Sequence, residues 1–152
     1  MFELMQSVSI DVASGRARGT AFIPAEHPML ADHFPGAPIL PGSFIIELAA
    51  QVCGPLAEET IRTRLGLERW AMLGMIRDAK FLRPTPLPAT LVIEAETRRA
   101  ESSNVVVHVT ARAGEHQVLR AELWMAMFEA QDGWAEAIAA RRARLARWKG
   151  EA

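Results

Sequence analysis

One cysteine, no tyrosine and no long apolar run limit what this sequence can be. A lone Cys53 forms no internal disulfide, so stability has to come from a packed core. The first residues show no basic segment followed by an apolar run, and no stretch approaches the ~18 uninterrupted apolar residues of a membrane helix. These absences predict a cytoplasmic protein that does not enter a membrane. An excess of either charge is missing too: 17 Lys and Arg stand against 18 Asp and Glu, a net charge of -1. Nothing in that balance draws the chain toward nucleic acid or anionic lipid. Four His and one Cys, widely scattered, do not make a metal-ligand pattern.

What is present suits one folded unit. The chain has 152 residues, half of them hydrophobic, enough to bury a single core. Leu4, Gln6, Val8 and Ile10 alternate with Met5, Ser7 and Ser9, and Ala13-Ser14-Gly15 turns into the run 17–23, which predicts a strand hairpin. Prolines at 24, 28, 35, 38 and 41 then exclude regular helix or central strand and predict an ordered loop. From Ser43 to Val52 the residues are apolar almost all round, broken only by Glu47 and Gln51, as expected of a helix buried on every side. Gly54-Pro55 is expected to kink or break it.

Strands are predicted at about 69–82, 90–99, 104–112 and 117–128. A buried helix followed by such a run implies an α+β arrangement, a curved antiparallel sheet wrapping the helix. Asp132 is a suitable N-cap for a last, amphipathic helix, 132–149, carrying Trp134, Ile138, Leu145 and Trp148 at helical spacing. Residues 1–130 are thus read as the core domain and 131–152 as a basic helical extension.

Chemistry concentrates in the loop and the buried helix. His33 in the rigid loop is a base near neutrality, and Glu47 is a carboxyl on an apolar helix, where desolvation favours the protonated form that can deliver a proton. Gln51, one turn on, can hydrogen-bond and orient Glu47. Gly42 stands where the helix begins, so its backbone N–H is free to meet a partial negative charge such as a polarised thioester carbonyl.

The stretch His33-Phe34-Pro35-Gly36-Ala37-Pro38-Ile39-Leu40-Pro41-Gly42, continuing through Glu47 to Gln51, resembles the signature of the 3-hydroxyacyl carrier-protein dehydratases, which have a hot-dog fold. Leu73 to Pro84 is similar to that family's central strand, so the resemblance covers about residues 20–100. It implies that His33 takes a proton from C2 of the acyl chain and that Glu47 assists departure of the 3-hydroxyl. The Gly42 amide would hold the thioester carbonyl, with Phe34 and Pro41 beside the substrate and Gln51 supporting Glu47. It further implies an acyl carrier protein as partner, with the acyl group on its phosphopantetheine arm, and no cofactor of the enzyme's own. In the family the His and Glu of one site come from two subunits, which implies a dimer, a trimer of dimers or a heterodimer. The sequence departs from the family pattern at Asp32, where Gly is usual, at Pro88-Ala89, where Pro-Gly is common, and in having no Tyr for a tunnel gate.

Rival readings are an acyl thioesterase of the same fold and a non-catalytic partner subunit of a heterodimeric dehydratase. Cys53 on its apolar helix reads as a structural cysteine, and His27, His108 and His116 have no motif around them. Met72, Met75, Met125 and Met127 are expected on strand faces in the core. Arg141, Arg142, Arg144, Arg147 and Lys149 form a cationic tail, either a solvated face or a dock for an acidic carrier protein.

Overall fold

The computed structural model describes residues 3–151. Strands β1 (Met5–Asp11) and β2 (Arg16–Ile23) form the expected hairpin, and a loop with a single 3-10 turn at Pro28–Leu30 leads to helix α1 (Gly42–Leu65). Strands β3 (Trp70–Phe81), β4 (Ala89–Ala100), β5 (Asn104–Ala113) and β6 (His116–Phe128) follow, then helix α2 (Ala135–Lys149). All pairings are antiparallel in the order β1-β2-β4-β5-β6-β3, one six-stranded sheet with β1 and β3 at its edges. Among the described residues no helix is long and apolar enough to cross a membrane.

The core is α1 against the concave face of the sheet. Leu48, Val52, Cys53, Leu56 and Ile61 are fully buried, packed with Leu91 and Ile93 of β4, Val105, Val107 and Val109 of β5, and Leu119 and Leu123 of β6. The strand partners sit at alternate positions, as a sheet with one core face requires. Gly19 on β2 lets the sheet come close to the helix: a Cβ there would lie 2.6 Å from Cγ2 of Val52. The helix ends at Gly66 in the left-handed conformation (φ 67°), whose N–H donates to the Arg62 carbonyl at 3.0 Å.

Three expectations need correcting. Gly54-Pro55 does not break the helix, which runs for 24 residues through Pro55. Packing around α1 outweighs the one hydrogen bond that proline removes. Asp132 is not the N-cap of the last helix. It lies in the turn before it, and Trp134 occupies the cap position without a side-chain hydrogen bond. Met125 and Met127 are core residues, but Met72 and Met75 are 45% and 44% exposed because β3 is an edge strand.

The spacing between β2 and α1 gives the first prediction. Gly19→Ala should lower the unfolding free energy by about 1–3 kcal/mol, because Val52 is fully buried and has nowhere to move. Urea denaturation measures it; an unchanged midpoint would show that the sheet can shift away from the helix at this point.

Candidate active site

The proline loop is irregular, yet its backbone is pinned. His33 N–H donates to the Leu30 carbonyl at 3.0 Å, Ile39 N–H to the His33 carbonyl at 2.8 Å, and Leu40 N–H to Thr85 at 2.9 Å. His33 is half-buried, with Nδ1 2.9 Å from the Ile39 carbonyl oxygen. A carbonyl only accepts, so Nδ1 carries a hydrogen, and in the neutral ring the lone pair falls on Nε2. Phe34, itself exposed, stacks on His33 with ring centroids 4.3 Å apart. Asp32 is exposed and, among the described residues, makes no hydrogen bond or ion pair with His33.

Pro41 is the N-cap of α1 and offers no side-chain acceptor to the first turn. The N–H groups of Gly42 and Ser43 have no partner among the described residues, which leaves the positive end of the helix dipole open. Over Gly42 lies the ring of Phe81, so close that a Cβ on residue 42 would sit 2.9 Å from Phe81 Cε1. Phe81 had no assigned part in the sequence reading. Its only signal was its position near the end of the strand that follows the helix and runs back along it.

Glu47 accepts a 3.0 Å hydrogen bond from Gln51 Nε2, the orienting contact expected from their i, i+4 spacing. Its carboxyl is exposed rather than shut off from water. The reason is geometric: the sheet covers α1 on most sides and leaves one stripe open, and Glu47, Gln51, Glu58 and Arg62 line that stripe. A cavity of about 380 Å³ runs along it, bordered by Glu47 and Gln51, by Met72 and Leu73 of β3, and by residues of α2. His33 is not in this lining, and no hydrogen bond joins it to Glu47 among the described residues. Within one chain, then, Glu47 is joined to Gln51 and shares neither this cavity nor a hydrogen bond with His33 among the described residues.

At the other end of the cavity is a pair that sequence reasoning missed. Glu58 is buried, and Arg141 Nη2 donates to both its carboxylate oxygens at 2.9 and 2.8 Å, while Nη1 donates to the Ala71 carbonyl at 3.3 Å. Burial pushes the Glu58 carboxyl up to about 7, against the downward pull of Arg141 and of the Ala71 backbone. The signal in the sequence was position: Glu58 falls two turns beyond Gln51 on the same face. The cationic tail is mostly paired within the chain, with Arg142 and Arg147 still more than half exposed to solvent. Besides Arg141, Arg142 pairs with Glu68, Arg147 with Glu3 and Lys149 with Glu59, and Arg144 lies over the Trp148 ring. Cys53 is fully buried and burial pushes its thiol up, which disfavours the nucleophilic thiolate.

Comparison with known proteins adds an independent line. The family model of the FabA-like domain matches residues 1–122. The 3-hydroxyacyl-(acyl-carrier-protein) dehydratase FabZ of Alkalilimnicola ehrlichii is 31% identical over 115 residues, covering 76% of this chain and 74% of that protein. Among solved structures, the dehydratase heterocomplex ApeI:P from Xenorhabdus doucetiae has a TM-score of 0.65 at 15% identity, over 90% of this chain and 89% of its own. Smu.793 from Streptococcus mutans, bound to acetyl CoA, has a TM-score of 0.64 at 18% identity, over 87% and 94%. These two likenesses are of fold, the hot-dog arrangement of a sheet around a long helix.

Burial of Glu58 gives a pH prediction. Its folded value of about 7 lies above the ordinary 4.5, so the folded state holds this proton more tightly than the unfolded chain. Stability is therefore lost as pH rises from about 4.5 to about 7, on the order of 3 kcal/mol for this group. Glu58→Gln should remove that slope, and thermal unfolding of both proteins across the range checks it. A wild type that gains stability relative to the variant as pH rises would show that Arg141 outweighs burial.

Proposed function

The chain belongs to the FabA-like domain family, and from that premise we propose that it removes water from 3-hydroxyacyl thioesters on an acyl carrier protein, leaving trans-2-enoyl thioesters, as fatty-acid and related acyl-chain assembly requires. The observation that carries the reading is the state of the two titratable groups in the shared motif. His33 is held through Nδ1 by the Ile39 carbonyl, which puts the lone pair of the neutral ring on Nε2, and Glu47 is held by Gln51.

In the reaction, Nε2 of His33 takes the proton from C2, and the electron pair moves into the thioester, whose carbonyl oxygen gathers negative charge. The open N–H of Gly42 lies at a helix N-terminus suited to that charge. The C2–C3 double bond then forms as the 3-hydroxyl departs, taking a proton from Glu47 to leave as water. Phe34, stacked on the His33 ring, and Pro41, at the N-cap of α1, would border the thioester arm. Return of the proton from His33 to Glu47 restores the site.

The base and the acid meet when two copies associate. Strand β3 is an open edge carrying apolar side chains on both faces, with Leu73, Ile76 and Phe81 exposed in addition to its methionines. An unpaired edge of that composition calls for a second strand, and a second β3 is the occupant of matching length and chemistry. Pairing there would cover the open side of the cavity beside Glu47 and supply the desolvation that a single chain lacks. Lys80, Arg83 and Arg120 are exposed and have no ion pair among the described residues. Lys80 and Arg120 are paired across β3 and β6, close to Phe81, where an acidic carrier protein would deliver its arm.

Loss of water from a 3-hydroxyacyl carrier-protein thioester, read by mass, tests the activity. His33→Ala and Glu47→Gln should each lower turnover by about a hundredfold to ten-thousandfold. Co-refolding the two variants in equal amounts should return roughly a quarter of wild-type turnover, since half the dimers then carry one intact site out of two. Mixed dimers that stay inactive would refute a site shared between copies.

A further inference from the structure

Helix α2 lies beyond residue 122, where the family match ends, yet it closes the cavity that begins at Glu47. From Glu47 to Glu58 the stripe on α1 extends 11 residues, roughly 16 Å at the rise of an α-helix, and it continues one turn to Arg62, past the Glu58–Arg141 pair. Its floor near the far end is Gly54, where a Cβ would meet Arg141 Nη2 at 3.6 Å and Met125 Cε at 3.9 Å. Beyond that point stands Arg141, gripped by Glu58 and the Ala71 carbonyl.

We propose that Arg141, clamped on Glu58, is the far wall of the acyl cavity, so that helix α2 sets the length of acyl chain this protein accepts. Three features make it a wall rather than a flap. First, α2 is anchored next to Arg141 and further along the helix: Arg142 lies over the Trp70 ring and Trp148 is buried in the core. Second, moving Arg141 aside would strand a buried carboxylate without its partner, a change that strongly destabilises such pairs. Third, Nε and one Nη1 hydrogen of Arg141 have no partner among the described residues. An apolar chain end pressed against them would strip their water and return no hydrogen bond, so the chain gains nothing by reaching further.

The inference rests on the reading of this cavity as the acyl site, and the test separates the two. Binding of acyl-pantetheine thioesters without a 3-hydroxyl, measured by calorimetry from butanoyl to tetradecanoyl, needs no turnover. Affinity in the wild type should rise about fourfold per added methylene and then level off where the chain meets Arg141. The break should move to longer chains in Arg141→Ala and to shorter chains in Gly54→Ala, a substitution that also favours the helix and so preserves folding. Turnover of the corresponding 3-hydroxyacyl series should follow the same order, with the ratio of kcat/KM for the longest to the shortest substrate rising about tenfold in Arg141→Ala. A break that stays at one length in all three proteins, or an equal loss of activity at every length, would overturn the wall. Breaks that move while no substrate loses water would keep the wall and overturn the dehydration.

Discussion

Everything in this molecule depends on enclosing a helix that is apolar nearly all round. α1 has no face fit for water along most of its length, so the sheet must curve about it and approach closely enough that β2 needs Gly19 opposite Val52. The same demand explains why Pro55 is tolerated in mid-helix: neighbours on several sides hold the chain in place where one backbone hydrogen bond is missing. An antiparallel sheet with two free edges cannot complete a cylinder, and one stripe of the helix stays uncovered. Polar chemistry collects on that stripe because it has nowhere else to go.

The two ends of the stripe are built on opposite electrostatic terms. At Glu47 the carboxyl is open to solvent and takes one neutral hydrogen bond from Gln51, an arrangement that orients it without fixing its charge. At Glu58 the carboxyl is buried, doubly bonded to a guanidinium, and tied through Arg141 to the backbone of β3. One carboxyl is open to solvent and the other is locked between α1, α2 and β3. The base at His33 is organised by a third means, backbone hydrogen bonds within a proline-rich loop, so its ring orientation does not depend on any side chain of α1.

Much of this was legible in the sequence because it is local. Alternation in 104–112, the proline loop, and the i, i+4 relation of Glu47 and Gln51 each follow from neighbours within a few residues, and each is present in the structure. What was not legible depends on contacts far apart in the chain. Glu58 and Arg141 are 83 residues apart, and no local pattern announces that a cation on the outer helix will find an acid on the inner one. Exposure of Glu47 was misjudged for a related reason. Apolar neighbours in sequence report how much of a helix is covered, but which stripe the sheet leaves open is decided by its curvature and edges. Met72 and Met75 fall in a segment that reads as a strand, and strand character alone cannot distinguish an edge strand from a central one.

The anchoring of α2 separates two properties that most enzymes encode together. The groups proposed for bond breaking fall within residues 33–51, whereas Arg141, which borders the same cavity, comes from a helix starting at Ala135 and makes no hydrogen bond to any of them among the described residues. Change at the exposed positions of that tail leaves the hydrogen bonds of the motif untouched, whereas change at Arg141 or Trp148 reaches the core through Glu58 and the buried indole.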